Sequence, residues 1–310
     1  MDKDLSDVLV IGVSSRALFD LDDENEIFVK EGIAEYRKYQ LENENILLKK
    51  GTAFNLVESL LSLNEKAKKR IVEVVVMSKN SPETGVRMLN SIAEYKLNIS
   101  RIALSGGEAL SPYIEAYAVD LFLSKDEKDI QKIIDSNKTA AAIICPPPEN
   151  FSSCDSRVKI AFDADAVIFS ENSEIRFKTE GLEAFEQYEK EHTEEPLEEG
   201  PFANLLKKLS KIQSYLDSSI EYSPLRLAIV TARTAPSHMR VIKTLRKWGV
   251  YVDEVYFLGG IAKDKVLKSF GAQIFFDDQE SHLNTSSKVV PSAKVPYKTN
   301  SPLSKLKGKK

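Results

Sequence analysis

Six residues in the second half of the chain end apolar runs or the turns after them, and their types suit phosphoryl transfer. Asp163 and Asp165 come after "VKIAF", Thr231 closes "LAIVT", Lys263 follows the "FLGG" turn, and Asp277 and Asp278 follow "QIFF". A carboxylate at a strand tip, Asp163, can attack phosphorus and accept the group as an aspartyl-phosphate. Asp165, two residues on, is spaced to protonate the leaving oxygen and then to activate the water that hydrolyses the intermediate. Thr231, with the backbone N–H that follows it at Ala232, would hold a phosphate oxygen, and Lys263 would neutralise charge. Asp163, Asp165, Asp277 and Asp278 offer hard oxygen ligands, a set that suits Mg²⁺.

Taken singly, each signal has a plainer reading. Aspartate pairs often cap turns and helices, a strand-end threonine is usually just a hydroxyl, and most lysines are solvated. "AKDKVL" also offers Lys265 beside Lys263. The weight lies on the order of the residues and on the apolar run before each.

In an open parallel sheet, ligands bind beyond the carboxyl ends of the strands, so these residues need strands lying side by side. The chain supplies them twice. "EGIAEYRKYQLENENILLKKGTAFNLVESLLSL" resembles "EGLEAFEQYEKEHTEEPLEEGPFANLLKKLSKI", with Gly32 on Gly181 and Gly51 on Gly200 at one spacing. "VEVVVMSKNS" then falls on "LRLAIVTART", "IALSGG" on "VYFLGG", and "AYAVDLFLSKD" on "SFGAQIFFDDQ". Between the first two of these pairs, the apolar face Met88, Leu89, Ile92 and Tyr95 falls on Val241, Ile242, Leu245 and Trp248, the stripe of a core-facing helix. Each copy alternates strand and helix, and its strands are nearly continuous in apolar residues, as a sheet covered on both faces requires.

The expected organisation is α/β, with two degenerate repeats of parallel sheet flanked by helices. Residues 1–150 form a non-catalytic repeat and 151–290 a catalytic half, with a helical cap insert over about 170–224. Residues 291–310, rich in Lys, Pro and Ser, read as a mobile basic tail. "CPPPENFSSCDS" reads as the linker between the halves.

The first copy serves as an internal control. Asp163 falls on Ser14, Asp165 on Arg16, Lys263 on Leu110, Asp277 on Ser124 and Asp278 on Lys125, and only Thr231 keeps a hydroxyl, at Ser78. The first copy therefore lacks nucleophile, acid, lysine and metal ligands. Its own "FDLDD" is no counterpart of "FDADA", because Asp20 and Asp22 lie past the strand end.

Bulk composition narrows the partners. A net charge of −4 with Lys and Glu interspersed leaves no broad basic face for nucleic acid or membrane. No apolar stretch reaches the roughly 18 residues that span a bilayer, and the acidic start is unlike a secretory leader. The two cysteines, Cys145 and Cys154, are expected to be reduced, in a cytoplasmic chain. None of the three histidines has metal-ligand spacing, which leaves carboxylates to hold a metal.

These motifs resemble those of the haloacid dehalogenase-like phosphotransferases, and within them the cytosolic 5'-nucleotidases of type I. "FDADAVIFSENSE", "VTART", "KTLRKWGV" and "FFDDQ" carry the resemblance, as do "VSSRALFDLDDE", "YQLENEN" and "GVRMLNSI" in the first half. It extends to about Tyr297. The resemblance implies a Rossmannoid fold and Mg²⁺-dependent hydrolysis of nucleoside 5'-monophosphates. It makes Asp163 the nucleophile, Asp165 the acid and base, Thr231 the phosphate ligand, Lys263 the motif lysine, and Asp277 and Asp278 the metal pair. The chain departs from the family at Asp264 and Lys265, where small residues or proline are usual. Rival expectations are action on another small phosphate ester, phosphate transfer to a nucleoside, and nucleotide binding without turnover.

Overall fold

"LVIGVS" and "VEVVVMS" show no alternation, and in the computed structural model, which describes residues 4–149, 151, 157–216 and 222–306, both are buried at every position. The first half carries β1 (Leu9–Ser14), β2 (Phe19–Asp20), β3 (Lys49–Lys50), β4 (Val72–Ser78), β5 (Arg101–Leu104), β6 (Leu121–Ser124) and β7 (Ala140–Ile144). Its helices are α1 (Ser15–Leu18), α2 (Asp22–Glu31), α3 (Ile33–Glu42), α4 (Phe54–Ala67), α5 (Val86–Glu94) and α6 (Glu127–Ser136). The second half carries β8 (Val158–Phe162), β9 (Leu225–Thr231), β10 (Glu254–Phe257), β11 (Ile274–Asp277) and β12 (Ser292–Lys294). Its helices are α7 (Asn172–Glu180), α8 (Leu182–Glu191), α9 (Ala203–Gln213), α10 (His238–Lys247), α11 (Asp264–Phe270), α12 (Glu280–Ser286) and α13 (Pro302–Leu306).

One ten-stranded sheet runs through both halves in the order β5-β4-β1-β6-β7-β12-β11-β8-β9-β10, and β2 and β3 pair separately. The order is a mirror: each half places its strands the same way outward from the seam. Pairing is parallel within each half and antiparallel where β7 meets β12. The two sets of strands therefore run in opposite senses, and their carboxyl ends lie at opposite edges of the sheet.

The repeat shows in backbone detail. Gly32, between α2 and α3, has φ +87°, and Gly181, between α7 and α8, has φ +88°, a region glycine enters without steric cost. A Cβ on Gly51 would lie 2.7 Å from the Phe19 carbonyl carbon, and one on Gly200 2.3 Å from the Phe169 carbonyl oxygen. Backbone cannot withdraw as a flexible side chain can, so both glycines mark close chain crossings. The stripes of α5 and α10 bury Met88, Ile92, Val241 and Leu245, whereas Ile242 is 37% exposed. Among the described residues no helix is long and apolar enough to cross a membrane.

The insert expected over about 170–224 has two parts. Helix α9 buries Leu205, Leu206, Leu209 and Ile212 in the main core, and Phe202 at its N-cap packs 4.9 Å, centroid to centroid, from Phe276 of β11. Helices α7 and α8 bury little and form the projecting part. The inserts also reach across the seam, with α4 touching β8 and α9 touching β1. Of the expected linker, residues 150 and 152–156, Cys154 among them, lie outside the described residues.

The mobile tail expected from Pro291 is not what the structure has over residues 291–306. Ser292–Lys294 form β12, inserted between β11 and β7, and Ala293, Val295 and Leu303 are buried. The reason is the repeat: β12 occupies the place in the second half that β7 holds in the first. Removing residues 291–310 should strip the seam strand and leave β7 and β11 unpaired along one edge each. The expected outcome is an insoluble chain, or one whose thermal midpoint falls by many degrees. An unchanged midpoint by circular dichroism would contradict the seam.

Candidate functional site

The strand ends of the second half bring three predicted residues into direct contact. The Asp163 N–H donates to the Phe276 carbonyl at 2.8 Å, which fixes the tip of β8 against β11. Its Oδ1 accepts from the Ala164 N–H at 2.7 Å and lies 2.8 Å from Lys263 Nζ. The same ammonium donates to Asp277 Oδ2 at 2.7 Å. Lys263 is buried at the start of α11, whereas Lys265 lines a separate surface cavity with Arg157 and Glu254, so the structure brings Lys263 to Asp163.

Asp277 is further held by the Gln279 N–H at 2.8 Å and by His282 Nδ1 at 3.0 Å. Ligand atoms of Asp163, Asp277 and His282 all lie within 4.8 Å of one another. Asp278 points elsewhere: its Oδ2 accepts from the Tyr297 hydroxyl, and its Oδ1 is buried without a hydrogen-bond partner. Asp165 is not in the cluster either. Arg233 grips it with two parallel bonds, Nε to Oδ2 at 2.8 Å and Nη2 to Oδ1 at 2.7 Å, the fork geometry that suits a carboxylate.

Thr231, buried at the end of β9, accepts the Arg233 N–H on Oγ1 at 3.2 Å, and Ala232 beside it is exposed. Arg233 continues to Glu189 Oε2 at 2.6 Å, and Arg240 reaches Glu189 Oε1 at 2.9 Å. Glu189 belongs to α8, so this buried chain of charges ties the projecting helices to the strand ends. After Asp165 the chain turns through Ala166 at φ +59°, a conformation that costs a non-glycine residue of order 1 kcal/mol or more. Val167, Ile168 and Phe169, all fully buried, anchor that turn.

The charges are unevenly compensated. Burial pushes the Asp163 carboxyl up to about 7, against the pull of the Lys263 ammonium. Burial disfavours the charged form of Lys263, but Asp163 and Asp277 outweigh it and hold the ammonium above the usual lysine range. For Asp277 burial is likewise outweighed, by Lys263 and His282, and its pKa is lowered. Asp278 goes the other way: burial, then the charges of Glu174, Asp277 and Asp163, drive it well above the usual carboxylate range. The Asp163 and Asp277 carboxylates with the His282 imidazole, their ligand atoms within 4.8 Å of one another, fit a hard divalent cation.

The sequence alone does not single out Arg233, Glu189, His282 or Tyr297. Arg233 stands inside "VTART", two residues past Thr231, where an alternation of hydroxyl and cation is the available signal. His282 has no metal-ligand spacing to other histidines because its partners are aspartates. Phe169 and Phe202 lie in the core, while Phe177 is 48% exposed on α7.

A family model described as 5'-nucleotidase matches residues 1–302. The chain belongs to the 5'-nucleotidase family. It is 36% identical over 290 residues to the human protein named cytosolic 5'-nucleotidase 1B, covering 91% of this chain and 47% of the relative. The chain thus spans about half the length of that curated relative. Among solved structures, histidinol dehydrogenase from Elizabethkingia anophelis aligns with 76% of this chain and 48% of its own at 9% identity, with a TM-score of 0.24. That superposition is too poor to bear on the fold.

Glu189 provides a test of how the family's strand ends are held in this chain. Replacing it by leucine leaves Arg233 and Arg240 buried without their shared carboxylate, which typically costs about 3–5 kcal/mol. Urea unfolding of Glu189→Leu should show that loss, and a change below about 1 kcal/mol would contradict the buried network.

Proposed function

We propose that the chain hydrolyses nucleoside 5'-monophosphates to nucleoside and phosphate through an aspartyl-phosphate on Asp163. The observation that carries the reading is the buried Asp163–Lys263–Asp277 contact at the strand ends of a chain that matches the family over residues 1–302. An Asp163 oxygen attacks phosphorus as the bond to the nucleoside oxygen breaks, and Asp165, released from the Arg233 fork and protonated from water, supplies the proton that oxygen needs. Asp165 then takes a proton from the water that attacks the acyl phosphate, and inorganic phosphate leaves with Asp163 restored. Thr231, the Ala232 N–H and Lys263 hold the phosphate oxygens.

Arg233 has a double part in this scheme. Its grip orients Asp165, and its Glu189 bond couples that orientation to α8. Mg²⁺, held by Asp163 and Asp277 with His282 alongside, would screen the repulsion between the nucleophile and the substrate. The first half, with serines and cations at the corresponding positions, takes no part in the chemistry. The name of the human relative supports a cytosolic setting.

The test is phosphate release from AMP, CMP, IMP and sugar phosphates, with and without an acceptor nucleoside. Release from nucleotides should need added Mg²⁺ and stop with chelator. Asp163→Asn should lower it by about a thousandfold or more while the melting curve stays put. Unchanged turnover in that variant would sink the mechanism, and preference for sugar phosphates would redirect the substrate.

A further inference from the structure

We propose that the carboxyl edge of the first half is a metal-independent binding site for the phosphate group of a small molecule, held by Arg16 and Lys125. The starting point is how closely the two edges correspond. Ser78 Oγ accepts the Asn80 N–H at 3.1 Å as Thr231 Oγ1 accepts the Arg233 N–H at 3.2 Å. Ser124 Oγ accepts the Asp126 N–H at 3.0 Å as Asp277 Oδ1 accepts the Gln279 N–H at 2.8 Å. The scaffold that presents acids at one edge thus presents other groups in equivalent places at the other.

Those groups reverse the charge. Ser14 and Ser124 stand for Asp163 and Asp277, and Arg16 and Lys125 stand for Asp165 and Asp278. An edge rich in carboxylates requires a cation before it can accept phosphate, whereas one with two cations and several hydroxyls accepts it directly. The buried Ser78 and Ser15 hydroxyls, 3.0 Å apart, lie at the same strand ends.

The two cations already converge on one oxyanion. Arg16 Nη2 is 3.2 Å from Asp22 Oδ1, and Lys125 Nζ is 2.9 Å from that same oxygen and 2.8 Å from Oδ2. The Asp22 side chain is 55% exposed at the start of α2, so it is an anion that a phosphate in solution could displace. Arg16 Nε is buried with no hydrogen-bond partner, so the exposed part of the guanidinium is what faces Asp22. Lys79, next to Ser78 in the chain, is by contrast neutralised by Asp126 at 2.6 Å and Asp129 at 3.0 Å.

Binding is read without turnover, so the result stands apart from the catalytic assignment of the second half. Inorganic phosphate would be titrated calorimetrically into the whole chain in excess chelator. The wild type should bind, Arg16→Ala with Lys125→Ala should weaken binding at least tenfold at an unchanged melting curve, and Asp22→Asn should tighten it. No binding by the wild type in chelator, or binding untouched by the double substitution, overturns the proposal. If the double variant fails to fold, Asp22→Asn decides: tighter binding supports the site and unchanged binding overturns it.

Discussion

Lys263 is the charge on which the carboxylate-rich edge of the second half depends. Its ammonium sits between Asp163 and Asp277, all three buried. Taking ions out of water costs several kcal/mol each, and only close, well-directed bonds offset it. One lysine cannot balance Asp163, Asp277 and Asp278 together with Glu174 nearby, and the mismatch surfaces at Asp278, whose unpartnered oxygen is the part of the edge most in want of positive charge.

The same edge is held from above by a second set of charges. Arg233 faces Asp165 with one side of its guanidinium and Glu189 with the other, and Glu189 also receives Arg240. A rigid planar group between a strand end and a projecting helix carries position from one to the other, which a flexible lysine would do less well. The orientation of Asp165 is thus set by a residue of α8 that it never touches.

Much of this is legible in the sequence, because apolar runs and their terminal residues report strands and strand ends directly. The repeat pairs Gly32 with Gly181, which agree in φ, and Gly51 with Gly200, which both sit against a neighbouring backbone. Contacts between distant segments are not legible in the same way. Arg233, Glu189 and Tyr297 gain meaning only when α8, β9 and the end of the chain meet. β12 is hidden for a different reason: three residues are too few for periodicity, and the Lys and Pro around them look like solvent-exposed chain. Its counterpart β7 is the signal that could have found it.

The exchange of helices across the seam bears on how the chain comes apart. Because α4 touches β8 and α9 touches β1, each central strand is covered in part by a helix from the other repeat. Buried residues of both repeats form one continuous core, so a split chain would expose apolar surface on both pieces.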